Sequence, residues 1–108
     1  DYNQAINLKP DFAEGYNGRG NLRRAVGNFD RAFKDYDSAV MFAPGNAKFY
    51  ADRGLAYDRK GDHLLALSDY QKSFDLGYRH QLLLDKLGKS EKERPVKVRP
   101  SQYIAHNL

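Results

Sequence analysis

The chain has 108 residues, 41% apolar and 30% charged, with no Cys and no Trp, which suits one small domain or a few units of a repeat and excludes disulfide frameworks, thiol nucleophiles and thiolate zinc sites. No run approaches the roughly 18 to 20 apolar residues of a bilayer span, and no compartment is fixed, the cytoplasm being the default reading. The net charge is +4, yet residues 1–85 hold 12 basic and 12 acidic residues, so the whole excess lies in residues 86–108 and the body is not basic.

Residues 1–12 read as the end of a helix already under way at Asp1, part of a longer chain, with Pro10 after it. Residues 13–46 follow as two helices, with Gly27 as the stop, Asn28 as the cap of the second, and Pro44 forcing the chain out. Asn46 is placed to cap the next helix. In 47–60, Tyr50, Gly54 and Tyr57 recur at spacings of four and three, a helical stripe. Gly61 ends that helix and Asp62 can cap its successor. Ala66, Tyr70, Ser73 and Phe74 then form the stripe of the second helix of 47–80. Residues 81–93 read as a polar-backed capping helix with Leu83, Leu84 and Leu87 on one side. Residues 94–108, interrupted by Pro95 and Pro100, read as a basic extended tail.

Laid against itself at an offset of 34 residues, the chain falls into register. Tyr16 meets Tyr50, Arg19 meets Arg53, Gly20 meets Gly54, and Gly27 meets Gly61. Ala32, Asp35 and Tyr36 meet Ala66, Asp69 and Tyr70. Asp1, Tyr2, Ala5 and Pro10 match Asp35, Tyr36, Ala39 and Pro44. Gly20 and Gly54 stand mid-helix, where glycine costs about 1 kcal/mol relative to Ala. Such a loss is tolerated where two backbones approach closely, with Ala32 and Ala66 as the small partners. Arg19 and Arg53 are expected to pair with Asp35 and Asp69, within a repeat or across to the previous one, where Asp1 shares the column. The Tyr residues Tyr2, Tyr16, Tyr36, Tyr50, Tyr57 and Tyr70 are expected to fill the gaps between helices.

Tyr16, Gly20, Ala32, Tyr36, Ala39 and Pro44, with Tyr50, Gly54, Tyr57, Ala66 and Tyr70, form a pattern that resembles the tetratricopeptide repeat. Arg23 departs from it, standing where Tyr is usual, and Tyr78 replaces the Pro. The resemblance implies an all-α fold, an α-α superhelix: a right-handed solenoid of antiparallel helix hairpins with a C-terminal capping helix. It also implies a concave groove, lined by the first helix of each repeat, that holds a peptide or helix of a partner protein. The groove columns are Glu14, Asn17, Gly18, Asn21 and Arg24, then Lys48, Ala51, Asp52, Leu55, Asp58 and Arg59, with Leu82, Asp85, Lys86 and Lys89 from the last helix. Asn amides can both donate to and accept from a peptide backbone, and Gly18 would let a ligand come close. One subtype of the family clamps a C-terminal carboxylate with Lys, Asn and Arg. Asn21 and Lys48 fall in matching columns, but Asp52 would repel a carboxylate, so a mixed-charge peptide is expected.

No catalytic constellation is present in the sequence. His63, His80 and His106 lack helix-spaced ligand partners, no Ser sits in an elbow motif, and Gly15 to Gly20 lacks the preceding strand and the Lys-Ser/Thr of a phosphate loop. The reading is therefore a non-catalytic protein-interaction scaffold, with no cofactor, metal or small-molecule substrate. Two alternatives stay open. The basic tail could bind nucleic acid or an anionic surface, or the segment could be a spacer that self-associates through its N-terminal end, where Tyr2, Ile6 and Leu8 are apolar.

Overall fold

The computed structural model describes residues 1–89. Among them are six helices and no strand: α1 (Tyr2–Leu8), α2 (Ala13–Ala25), α3 (Phe29–Phe42), α4 (Ala47–Lys60), α5 (His63–Asp75) and α6 (Gln81–Leu87). Helices α2 and α3 form one hairpin and α4 and α5 the next; α3 packs on α4, and α1 and α6 close the two ends. This is an all-α superhelix of stacked hairpins.

The hairpin turns follow from glycine. Gly61 has φ +100°, and its N–H and that of Asp62 donate to Asp58 O and Tyr57 O at 3.0 and 2.8 Å. These bonds satisfy carbonyls that the helix end would otherwise orphan, in a conformation other residues resist. Asn46 caps α4 through its side chain, which accepts from Lys48 N. Asn28 and Asp62 occupy the equivalent positions without a side-chain bond, so the caps expected of them are positional only.

The Asp1 carboxylate accepts from Gln4 N at the start of α1, and Arg19 pairs with Asp35 of its own repeat rather than with Asp1. One correction concerns the last helix. The last helix stops at Leu87, where Gly88 turns left-handed at φ +64°. Gly88 shares the column of Gly54, but among the described residues nothing stands within 4 Å of where its Cβ would be. The remainder of the expected helix, from residue 90, and the tail 94–108 lie outside the described residues.

The register explains the core. Ala32, Tyr36 and Ala56 form one buried cluster, and Ala66, Tyr70, Phe74, Leu83 and Leu84 form another that fastens α6 to the second hairpin. A Cβ on Gly54 would lie 2.7 Å from Tyr70 Cε1 and 3.3 Å from the Ala66 carbonyl oxygen; on Gly20 it would meet Tyr36 and Ala32 the same way. The glycine therefore makes room for an aromatic ring as much as for a backbone. Tyr70 is 1% exposed and cannot swing aside. Gly54→Ala is expected to destabilise the fold by about 1–3 kcal/mol, the overpacking outweighing the helix-propensity gain. Urea unfolding checks this, and a stabilised variant would contradict it.

Further repeated contacts complete each hairpin. Tyr16 and Tyr50 donate their hydroxyls to the carbonyls of Pro10 and Pro44 at 2.8 and 3.0 Å, locking the turn that precedes each repeat. Tyr57 stacks on Phe33 at 4.4 Å between ring centroids. Tyr2 is the exception among the six Tyr, 40% exposed at the end of the stack.

Candidate binding groove

Ion pairs set the frame on which the groove residues stand. Arg19 Nε and Nη2 donate to the two oxygens of Asp35 at 3.0 and 2.8 Å, and Arg53 does the same to Asp69 at 2.8 and 2.8 Å. The remaining Nη1 of each reaches back to the preceding repeat, to Asn3 from Arg19 and to Asp37 from Arg53. The backward partner thus sits two residues past the column of Asp1 and Asp35. Hydrogen bonding to the carboxylates outweighs the cost of burial and raises the pKa of both guanidinium groups. Arg23 donates its own Nη1 to Asp35 at 2.9 Å, which gives this departure from the pattern a structural role.

On the face shared by α2 and α4 a polar network replaces an open groove floor. The Tyr36 hydroxyl donates to Asn21 Oδ1 at 2.6 Å, and Asn21 Nδ2 donates to Asp52 Oδ2 at 3.2 Å. Arg24 Nη1 donates to the carbonyl of Asp52 at 3.3 Å. Burial pushes the Tyr36 phenol well above its ordinary pKa. Asn21 therefore spends both ends of its amide inside the protein. Asn17 is 5% exposed, and its Nδ2 atom is buried without a partner. Gly18 is covered: a Cβ there would fall 2.3 Å from the Tyr2 ring. Asn17 is thus buried, while Gly18 and Asn21 are partly buried with Tyr2, Tyr36 and Asp52 against them.

The next repeat is different. Lys48, Ala51, Asp52 and Leu55 from α4, Tyr70 from α5, Tyr78 and His80 from the connection, and Leu82 and Leu83 from α6 enclose a cavity of about 220 Å³. The structure thus brings Lys48, Asp52, Leu55 and Leu82 together. Glu14 and Arg59 are exposed and lie outside this cavity. Sequence reasoning missed Tyr70, Tyr78, His80 and Leu83. The offset of 34 held a signal for two of them, since Tyr78 stands in the column of Pro44 and His80 in that of Asn46. His80 does what Asn46 does: its Nδ1 accepts from Leu82 N at 3.2 Å and caps α6.

One carboxylate ties this corner together. Asp58 accepts from the Tyr70 hydroxyl at 2.8 Å, lies 2.8 Å from His63 Nδ1, and pairs with Lys86 Nζ at 3.3 Å. Burial alone would push its pKa up, but the hydrogen bonds from His63, Tyr70 and Lys86 outweigh it and hold the carboxyl below its ordinary value. A depressed carboxylate pKa stabilises the fold above its unfolded pKa of about 3.9, and that contribution is lost as pH falls through the folded value. Asp58→Asn is accordingly expected to flatten the acid limb of stability below about pH 4. Urea unfolding between pH 2 and 6 measures this; an unchanged limb would contradict it.

Among the described residues no group of three His, Cys, Asp or Glu is placed to hold a metal ion, and no helix is long and apolar enough to cross a membrane.

Antiparallel hairpins stacked at a fixed period, each contacting chiefly its neighbours, define an α-helical repeat protein. Residues 47–76, the second hairpin, match the family model of the tetratricopeptide repeat. Repeats of that family are typically non-catalytic modules of protein–protein interaction.

Proposed function

We propose that this protein binds a peptide or helix of a partner protein along the face formed by α4 and α6 and continued by α2. The observation that carries the reading is the cavity of about 220 Å³ between α4, α5 and α6, walled by Leu55, Leu82, Leu83 and two tyrosines. A recess of that kind, fixed by rigid helices, is what a protein-interaction face uses to hold an anchoring side chain. Glu14, Arg24 and Arg59 extend the surface with charge on either side. The test is a proteome-derived peptide display against the whole chain, with a Lys48→Ala/Leu55→Ala/Arg59→Ala variant as counter-screen. Peptides that share a motif and disappear with the variant support the reading. Peptides that ignore the variant but vanish on deleting residues 94–108 would move binding to the basic tail and sink it.

A second reading rests on Leu22. It is 59% exposed, whereas Ala56 in the same column is fully buried against α3. Val26 beside it is 80% exposed. Self-association through this N-terminal face would cover both. Ile6, expected to contribute, is buried, while Tyr2 and Leu8 of α1 are exposed, so both α1 and α2 offer apolar residues. A mass independent of concentration by light scattering would exclude this reading.

A further inference from the structure

The cavity also carries information about what enters it, provided that the groove reading above holds. We infer that it takes one large apolar side chain of the partner, and that this side chain is flanked by an acidic residue.

The size argues for a single side chain. About 220 Å³ is below the roughly 300–1,000 Å³ of sites that enclose a whole small-molecule ligand. The walls argue for apolar character. Leu55, Leu82, Leu83, Ala51 and the faces of Tyr70 and Tyr78 supply most of the lining. The Tyr70 hydroxyl is turned away to Asp58, and the Tyr78 ring stacks on His80.

The charges select the neighbour. Asp52 is 8% exposed, and one of its oxygens accepts from Asn21, so this carboxylate lies recessed behind the cavity mouth. Its Oδ1 atom is left to accept a backbone N–H from the bound segment. Lys48 is exposed on the cavity wall and makes no ion pair among the described residues. Lys48 is therefore the exposed charge of the lining, with Asp52 buried behind it. An exposed cation beside an apolar recess favours a carboxylate next to the anchor through Coulomb attraction, and it disfavours a lysine there by the same amount.

The experiment is an NMR titration of the full ¹⁵N-labelled chain with a synthetic nonapeptide of Gly and Ser bearing one Leu between two Glu. Two control peptides carry Lys in place of Glu, or Ser in place of Leu. The expected result is that amide shifts centre on Leu55, Tyr78, Leu82 and Leu83. Loss of the Leu is expected to weaken binding about tenfold, and the Glu-to-Lys exchange about fivefold. Lys48→Glu, an exposed change whose helicity circular dichroism can verify, is expected to reverse the charge preference. Leu82→Ser, at a partly exposed position, is expected to remove the Leu preference without unfolding α6. Equal or tighter binding of the Lys peptide, shifts centred elsewhere, or no shift at millimolar peptide would overturn the assignment. If the display experiment still returned groove-dependent peptides in that event, the groove reading would stand and only the anchor and its charge would fall. If it returned none, both would fall.

Discussion

Asp35→Ala is expected to destabilise the protein by about 3–4 kcal/mol, the range for removing one partner of a buried ion pair. Asp35 is 2% exposed and accepts from Arg19 twice and from Arg23 once. Deleting its carboxylate leaves two half-buried guanidinium groups facing each other, with Asn3 the remaining side-chain acceptor bonded to Arg19. Asp69→Ala should cost less, about 2 kcal/mol, because Arg53 keeps Asp37 at 3.0 Å. Asp37→Ala should cost under about 1 kcal/mol, since Asp37 is 63% exposed and its pair is a solvated one. The order Asp35, Asp69, Asp37 is the discriminating result. Urea midpoints at constant m-value measure it, and three equal losses would show that burial does not set these energies. The native contribution is a different quantity from the cost of breaking it. Desolvation offsets much of the attraction, so Arg53→Met with Asp69→Leu is expected to be milder than Asp69→Ala alone.

This series also shows what the sequence could and could not reveal. A period of 34 residues exposes whatever recurs, and Arg19/Arg53, Asp35/Asp69, Gly20/Gly54 and Tyr36/Tyr70 all recur. Their contacts form inside every repeat, so the hairpins and their stacking were legible. What does not recur was not legible in this way. The second cation on Asp35 comes from Arg23, whose counterpart Tyr57 instead stacks on Phe33. The groove columns were legible as positions, but not as exposed or buried. Asn21 looks like a peptide clamp until Tyr36 and Asp52 are seen holding both ends of its amide. Gly18 looks open until Tyr2 is seen lying on it. The cavity wall depends on Tyr78 and His80, which break the pattern in the connection to α6. Gly88 likewise ends a helix in the left-handed conformation, although it shares the column of Gly54 inside α4.

Phe74→Ala is expected to cost about 3–5 kcal/mol, a large part of the stability of a domain this small. The side chain is fully buried among Ala66, Tyr70, Leu83 and Leu84. Its ring also lies under two cations, with Arg79 Cζ at 3.8 Å from the centroid and Lys89 Nζ at 5.0 Å. Arg79 is positioned there by donating to the carbonyls of Phe74 and Tyr78 at 2.8 and 3.1 Å. Phe74 thus links α5, the connection and the end of α6, the elements that form three sides of the binding cavity. Truncation should therefore act twice, by opening a void in the core and by loosening α6 from the hairpin. Phe74→Leu separates the two effects: it restores most of the apolar volume but removes the ring beneath Arg79 and Lys89. Its expected cost is about 1–2 kcal/mol, of which the lost cation–π contacts supply a share. Hydrogen exchange makes the distinction at residue level. In Phe74→Ala the amides of Leu84 to Leu87 should exchange faster than those of α2 and α3, because α6 opens before the hairpins do. Uniform acceleration across all helices would mean that α6 is not a separate unit. The cavity would then be as stable as the fold itself.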